Sequence, residues 1–298
     1  MCSFTKSKNI IYMNEDEYII RASKGLKLYM KEWHYEASPQ AVVLIVHGLG
    51  EHCRRYDHVA EYFNKHQIGT FGYDHRGHGK SGGKRGHAGS IDLLLEDLEL
   101  VIMKVRSLYN DIPVFLYGHS MGGNIVANYI IKKNTKELTG AIISSPWLGL
   151  TQKVPGPLLM AVKFLQKIVP SLTIGNGLSL DALSFDKGNI ERYKKDPLVH
   201  DRISVRLFYQ LYQSATYALK HSDKVKIPVL LGHGDHDDIT SFESTKLFAE
   251  RLGDRAQFKP WEERKHEVHN DTGKEDVMAF YANWIISICS RNNISQSI

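Results

Sequence analysis

Short apolar runs that end in glycine-rich or polar turns constrain the fold of this chain more than any other feature. Each run is rich in Val, Ile, Leu and Phe without clean polar–apolar alternation, which is typical of strands buried on both faces of a parallel sheet. Segments with helical apolar spacing occur between the runs. Together the two patterns predict a mostly parallel sheet flanked by helices. The strand-like runs are 41–48, 68–74, 113–119, 140–146, 227–233 and 256–262, and the helical segments are 53–66, 91–109, 121–133, 241–252 and 274–290.

Two alternating segments near the N-terminus predict an antiparallel hairpin. EYIIRA (17–22) and LKLYMKEW (26–33) flank Ser23-Lys24-Gly25, where Gly25 suits a turn with positive φ.

A stretch between Pro146 and Ile227 interrupts the pattern because it contains no clear strand. Within it, PGPLLMAVKFLQKIVP (155–170) is apolar on more than one face. We predict a largely helical cap at 147–212, inserted into a core formed by 1–146 and 213–298. Two interpretations of 155–170 stay open: an ordinary packed helix, or a helix whose apolar surface meets lipid or a greasy substrate.

Composition and charge exclude several classes of protein. The net charge is +5, from 38 basic and 33 acidic residues, and no dense basic cluster with interleaved aromatics predicts a nucleic-acid partner. Cys2, Cys53 and Cys289 are far apart, which argues against a disulfide framework or a zinc site. No signal-peptide core and no run of about 18 apolar residues is present. We therefore expect a soluble cytoplasmic protein, with peripheral membrane contact through the cap as an open alternative.

Gly118-His119-Ser120-Met121-Gly122-Gly123 is the most informative motif for chemistry. It lies between a predicted strand and a predicted helix, a corner that forces the serine into a strained turn with its hydroxyl exposed. Flanking glycines remove side chains that would clash there. We therefore predict that Ser120 is a nucleophile.

A serine hydroxyl needs a histidine to take its proton and a carboxylate to orient that histidine. With a strand–serine–helix corner of this kind, acid and base follow on the loops after later strands. Those loops are LLGHGDHDDIT (230–240) and EERKHEVH (262–269). The first offers Asp235, Asp237 and Asp238, and spacing alone does not choose among them.

Other residues near these loops have assignable roles. The backbone N–H groups of Met121 and of Leu49, which follows the first apolar run, are candidates for an oxyanion hole. Thr240 with Glu243 fits a capping box at the start of the next helix.

Six short motifs occur together in this order: HGLGEHCRRY (47–56), DHRGHGKSGG (74–83), GHSMGG (118–123), YKKDPL (193–198), HGDHD (233–237) and KHEVH (265–269). With these motifs the chain resembles the monoacylglycerol lipase branch of the α/β-hydrolase superfamily from about Ala22 to Ile288. The resemblance implies an α/β-hydrolase fold with a mostly parallel eight-stranded sheet, flanking helices and an inserted helical cap. It implies a serine esterase without metal or cofactor.

The resemblance also implies roles for individual residues. The family nucleophile falls on Ser120, the acid of its Gly-x-x-Asp pattern on Asp237, and the base on His266. Oxyanion donors fall on the amides of Leu49 and Met121. Asp238 is an acid that the family pattern does not contain. The residues that match a glycerol head-group site are Glu51, Arg55, Tyr193 and His269.

These residues predict hydrolysis of carboxylic esters, with monoacylglycerol as the expected substrate. Alternatives are a lysophospholipase, a general carboxylesterase, or a non-catalytic lipid-binding module on the same fold. The expected partner is an acyl-glycerol or lysolipid substrate, without nucleic acid and without an obligate protein partner.

Several motifs also have ordinary structural interpretations. His47 can stabilise its turn, Asp74 and Arg76 can hold the loop around Gly77 and Gly79, Glu51 can pair with Arg55, and Tyr193 can pack under the cap. HGDHDD could bind a divalent metal. GHGKSGG (77–83) resembles part of a phosphate-binding loop, although Asp74 occupies the place where that motif needs glycine.

Overall fold

A single large sheet forms the centre of the protein. The computed structural model describes residues 10–14, 16–34 and 38–296. The strands are β1 (Ile10–Asn14), β2 (Glu17–Arg21), β3 (Lys27–Trp33), β4 (Ala41–Val46), β5 (Ile68–Tyr73), β6 (Val114–His119), β7 (Gly140–Ser144), β8 (Thr173–Gly175), β9 (Arg202–Ser204), β10 (Val229–Gly234) and β11 (Ala256–Trp261). Within the described residues nine of them form one sheet in the order β1-β2-β3-β5-β4-β6-β7-β10-β11, and β8 pairs with β9 separately.

The pairing confirms most of the predicted strands and corrects their number. Each of the six apolar runs forms a strand, and the five pairs from β5 through β11 are parallel. The predicted hairpin is β2 and β3. The expected count of eight strands is too low by one, because β1 pairs antiparallel with β2. This extra strand occupies the backbone groups that would otherwise make β2 an open edge.

Helices cover both faces of the sheet. They are α1 (Asp57–Lys65), α2 (Ile91–Leu108), α3 (Met121–Lys132), α4 (Gly156–Ile168), α5 (Lys187–Lys195), α6 (Val205–Lys220), α7 (Phe242–Leu252) and α8 (Lys274–Gln296). Alternate residues of β4 point to opposite faces. Val42 and Leu44 pack in the core with α2, α3, α6 and α7, whereas Val43 and Ile45 pack with α1 and α8. A sheet covered on both faces explains why the strands read as continuous apolar runs.

Helix α6 connects the predicted cap to the core. Buried hydrogen bonds join it to α3: Asn124 Nδ2 donates to the Leu211 carbonyl at 3.2 Å, and Asn128 Nδ2 to that of Ser214 at 3.1 Å. Ser214 Oγ returns a bond to Asn124 Oδ1 at 2.7 Å. The predicted boundary at 212 therefore falls inside one continuous helix.

The start of α7 differs from the prediction. Its N-cap is Ser241, whose hydroxyl accepts from the Ser244 N–H at 3.1 Å, so the proposed cap at Thr240 is wrong. The Thr240 hydroxyl instead lies 2.8 Å from Asp237 Oδ2 and 3.0 Å from the Ser145 carbonyl. It serves the preceding loop rather than the helix.

Candidate active site

Ser120 occupies the sharp turn between β6 and α3. Its φ of 53° and ψ of −115° place a non-glycine residue in a costly backbone region. The turn is held because the Ser120 N–H donates to the Ser144 carbonyl at 3.1 Å and its own carbonyl accepts from Asn124 at 3.0 Å. At position 122 a Cβ would lie 1.8 Å from the Val46 carbonyl oxygen, so only glycine lets α3 approach β4 this closely.

Asp237 and His266 form a buried pair on the two predicted loops. His266 Nδ1 lies 2.7 Å from Asp237 Oδ2. The other two aspartates lie elsewhere: Asp235 contacts the exposed ring of His236 at 2.7 Å, and Asp238 lies on a cavity wall. Of the three acids, Asp237 is the one placed to orient His266.

The pKa values of Asp237 and His266 are shifted in opposite directions by their mutual attraction, which outweighs burial in both. Burial alone would raise the pKa of the Asp237 carboxyl, but the neighbouring His266 and His233 hold it well below its usual range. Burial alone would lower the pKa of His266, but the carboxylate of Asp237 outweighs burial and raises it. Asp237 therefore stays ionised, and the protonated form of His266 is stabilised, as a histidine that must carry a proton during a reaction requires.

A cavity of about 710 Å³ lies over Ser120 and His266, both of which line it. Glu51, Tyr193 and Glu267 lie on its wall as polar groups. Much of the remaining wall is apolar. The apolar wall includes Trp147, Leu150, Leu178, Leu183, Ile203, Phe208 and Ile239. A wall that combines polar and apolar side chains fits a molecule with a polar head and a hydrocarbon tail.

The two predicted oxyanion donors belong to the start of α3 and to the turn after β4. Met121 is the first residue of α3, where free backbone N–H groups face outward. Leu49 follows β4 in a turn that lines the cavity. A Cβ at Gly48 in this turn would lie 3.3 Å from Ser120 Cβ, so the turn runs directly past the serine.

His47 fixes this turn, which confirms its structural interpretation. Its Nδ1–H donates to the Gly48 carbonyl at 2.7 Å, and its Nε2 accepts from the His75 N–H at 3.0 Å. Burial lowers the pKa of His47 well below its usual value, so the ring remains the neutral acceptor that the second bond needs.

Asp74 and Arg76 hold the neighbouring loop, as expected. Asp74 accepts from the N–H groups of Cys53 at 2.8 Å and Lys80 at 2.7 Å. Arg76 makes a bidentate pair with Asp97 at 2.6 and 2.7 Å. The phosphate-loop interpretation is not supported, since no helix begins near Ser81 and α2 starts at Ile91.

Arg55 joins the polar wall of the cavity to the predicted base loop. Its guanidinium contacts Glu51 at 2.7 Å and makes a bidentate pair with Glu267 at 2.6 and 2.7 Å. It also lies 4.6 Å from the ring centre of Tyr193, a cation–π contact. The predicted Glu51–Arg55 pair thus exists, and Arg55 lies behind the side chains that line the cavity.

Glu267 is a residue of this site that sequence reasoning missed. Its only signal was its position next to His266 in KHEVH. Burial would raise its pKa, but Arg55 holds the pKa of this carboxyl well below its usual range. Burial and the charge of Glu267 raise the pKa of Glu51 despite Arg55. One guanidinium therefore serves two carboxylates.

The fourth predicted head-group residue does not reach the cavity. His269 is fully buried, and its ring stacks on Tyr56 with centres 4.6 Å apart. It lies 4.8 Å from the ring of His119, which lines the cavity. Burial lowers the pKa of His269 well below its usual value, which keeps it neutral within this aromatic cluster.

Neither a metal centre nor a membrane-spanning helix is found in residues 10–14, 16–34 and 38–296. No three His, Cys, Asp or Glu side chains there are arranged to hold a metal ion, so the metal interpretation of HGDHDD gains no support. None of the described helices is long and apolar enough to cross a bilayer. Cys53 and Cys289 are free and buried, and Cys2 lies outside the described residues.

Known proteins resemble the chain over most of its length. A protein of Dictyostelium discoideum, described as an uncharacterized abhydrolase domain-containing protein, is 34% identical over 260 residues; the match covers 87% of this chain and 27% of that much longer protein. A monoglyceride lipase homolog from Monkeypox virus is 30% identical over 284 residues, with 94% and 99% covered. Phospholipase YtpA of Bacillus subtilis (strain 168) is 32% identical over 248 residues, with 82% and 95% covered.

A solved structure and a family model agree with these relatives. The crystal structure of Paleococcus ferrophilus monoacylglycerol lipase has 33% sequence identity and a TM-score of 0.80, and covers 88% of this chain and 99% of its own. The model of the family described as serine aminopeptidase, S33, matches residues 37–273. The chain therefore belongs to this family of hydrolases, and its fold is the α/β-hydrolase fold.

Proposed function

We propose that the protein hydrolyses monoacylglycerols to fatty acid and glycerol, with Ser120, Asp237 and His266 as its catalytic triad. The chain is a carboxylic ester hydrolase, as its family and relatives show. The observation that carries the assignment is the buried Asp237–His266 pair, whose His266 lines the same cavity as Ser120 together with both polar and apolar side chains. That combination suits a short polyol ester of a long acyl chain.

The reaction follows from the positions of these groups. Ser120 Oγ attacks the acyl carbonyl carbon while His266 Nε2 takes the hydroxyl proton, and the oxyanion is held by the amides of Leu49 and Met121, each worth about 3 kcal/mol. The ester C–O bond then breaks as His266 passes its proton to the glycerol oxygen. Water, deprotonated by His266, attacks the acyl-enzyme and releases the fatty acid with Ser120 protonated again. Asp237 stays ionised throughout.

The polar cluster favours a neutral head group over a phosphate. Arg55 could attract phosphate only if its charge were free, but it is already engaged by Glu51 and Glu267. A phosphate would meet no unpaired positive charge in this cluster, whereas glycerol hydroxyls can donate to its carboxyl oxygens. This charge balance ranks monoacylglycerol above a lysophospholipid.

A hydrolysis profile at constant acyl chain tests the proposal. We expect kcat/KM for a monoacylglycerol to exceed that for the matching lysophosphatidylcholine by about 10- to 100-fold, because a phosphate taken out of water without a cationic partner costs a few kcal/mol. Faster turnover of the lysophospholipid would reverse the assignment, and an equal rate on the methyl ester would indicate a general carboxylesterase. No turnover, together with no labelling of Ser120 by a fluorophosphonate, would indicate a lipid-binding module.

We further propose that the cap contacts the membrane that holds the substrate. Helix α4 carries a stripe of large apolar side chains in solvent: Met160, Phe164 and Ile168 are 73%, 65% and 60% exposed. Four-residue spacing places them on one face. Lys163 and Lys167 on the same helix are exposed and suit anionic head groups.

Substitution on this stripe should separate membrane-bound from dissolved substrate. Phe164→Glu is expected to reduce cosedimentation with anionic phospholipid vesicles, and turnover of a monoacylglycerol held in them, by about tenfold or more, the value of one buried aromatic side chain. Turnover of a water-soluble short-chain ester should stay unchanged. Met103→Glu on α2, where Met103 is 62% exposed, is the matched control. Equal losses in both variants, or none in either, would contradict a specific contact by α4.

A further inference from the structure

Asp237 has a second histidine neighbour. His233, at the end of β10, is fully buried, and its Nε2 lies 3.0 Å from Asp237 Oδ2. His266 Nδ1 contacts the same oxygen at 2.7 Å. His233 lies outside the cavity wall, so it touches the reaction only through the acid. His233 takes no part in the proton transfers between Ser120, His266 and the substrate.

Hydrogen bonds fix which nitrogen of His233 carries the proton. Nε2 faces Asp237 and also lies 3.2 Å from the Thr240 carbonyl, and both groups only accept. Nδ1 lies 2.8 Å from the Thr245 hydroxyl, which can donate. A proton on Nε2 satisfies both of its acceptors, and the Thr245 hydroxyl can either donate to Nδ1 or accept from it while donating to the Ser241 carbonyl at 3.4 Å. His233 is therefore a donor to the carboxylate of Asp237.

We propose that His233 is a positioning residue of the triad, whose Nε2–H fixes the Asp237 carboxylate against His266. The inference rests on the proposed function, since it acts on the same triad. The Asp237 carboxylate also accepts hydrogen bonds from the following loop. Oδ1 accepts from the N–H groups of Ile239 at 2.8 Å and Thr240 at 2.9 Å, and the Thr240 hydroxyl lies 2.8 Å from Oδ2.

Loss of this donor has two separate consequences. The carboxylate is no longer held, which lowers the fraction of His266 in a reactive orientation. A carboxylate with one donor fewer also attracts the proton of His266 more strongly, which raises the pKa of that ring. The other titratable groups near His266 stay in place in such a variant, and they are Glu267, Glu51 and His119, whose ring centre is 4.7 Å away.

Three variants distinguish this role from simple packing. In His233→Phe, kcat should fall about 10- to 100-fold, the value of a hydrogen bond to a charged group, with KM unchanged. The acid limb of its profile of kcat/KM against pH should move to higher pH, because a raised pKa keeps His266 protonated up to a higher pH. His233→Gln retains a donor near the Nε2 position, so we expect partial recovery of kcat and of the limb. His236→Phe on the same loop, where the ring is exposed, should match the wild type.

A test on the wild-type protein does not depend on whether a variant folds. Nitrogen-15 spectra of the histidine-labelled protein should show His233 with a protonated Nε2 under the conditions of the kinetic assays, with His233→Gln used for assignment. An unprotonated Nε2 would overturn the inference, as would a folded His233→Phe with the kcat and acid limb of the wild type. So would a loss of kcat with an unmoved limb and no recovery in the glutamine variant. If the proposed function itself failed, the wild type would not turn over ester, whereas failure of this inference alone leaves it active.

Discussion

Replacement of Ser120 by alanine is expected to reduce ester turnover by about a million-fold while the protein stays folded. The loss is large because the hydroxyl oxygen forms the acyl-enzyme bond, and no neighbouring group can take its place. Stability should change little, since alanine keeps the Cβ that serine already places at a φ of 53°. The measurements are kcat with a monoacylglycerol, fluorophosphonate labelling and the midpoint of thermal unfolding.

Ser145 offers a matched control for this substitution. It is also a fully buried serine with positive φ, at 41°, and its hydroxyl has no hydrogen-bond partner within the part of the chain that the structure describes. Ser145→Ala should therefore retain turnover and labelling. Turnover in Ser120→Ala comparable with that of the wild type, or an equal loss in Ser145→Ala, would remove Ser120 from the role of nucleophile.

Asp237→Asn should lower kcat by about ten-thousand-fold, the loss seen when the acid of such a triad becomes an amide. Its Oδ1 accepts from two backbone N–H groups, which only an oxygen can do. The new NH₂ group must therefore take the Oδ2 position and face His266. Since the amide then donates to Nδ1 of His266, the ring proton moves to Nε2, and the base that Ser120 needs is lost.

The two neighbouring aspartates are the controls for this prediction. Asp235→Asn should have almost no effect, because Asp235 contacts only His236 at the surface. Asp238→Asn should change KM more than kcat, because Asp238 lines the cavity and does not contact His266 in the way that Asp237 does. Kinetic constants for all three variants on one monoacylglycerol decide the matter. If Asp238→Asn were the most damaging, the acid would lie one residue later.

Local patterns were sufficient to predict most of the fold. The six apolar runs became strands because burial on both faces leaves a continuous signal in sequence. The strand β1 was not predicted, because the short IIYMN segment alone does not indicate which strand it pairs with. Its partner is the otherwise free edge of β2. The predicted boundary at 212 falls within α6. Helix α6 is one periodic segment whose two halves serve different parts of the protein.

The site shows a sharper limit of sequence reasoning. Ser120 was visible because its strained turn demands glycines at fixed positions. Asp237 was chosen over Asp235 and Asp238 only through a family pattern, because all three acids lie within four residues and only folding directs one of them to His266. Glu267 was missed because its partner, Arg55, lies 212 residues away along the chain. Such long-range pairing leaves no periodic trace.

The continuity of α6 has a consequence for protein engineering by recombination. A chimera that exchanged the cap with a joint at residue 212 would combine two parental sequences in the middle of a helix that is bound to the nucleophile helix through Asn124 and Ser214. Mismatched side chains there would disturb the serine turn itself. A joint beyond Lys220, where α6 ends, transfers the whole helix with the cap. Asn124 and Asn128 must then come from the parent that supplies α6, because both bind to that helix. Exchange of the cap to alter substrate range is therefore expected to alter the catalytic rate as well.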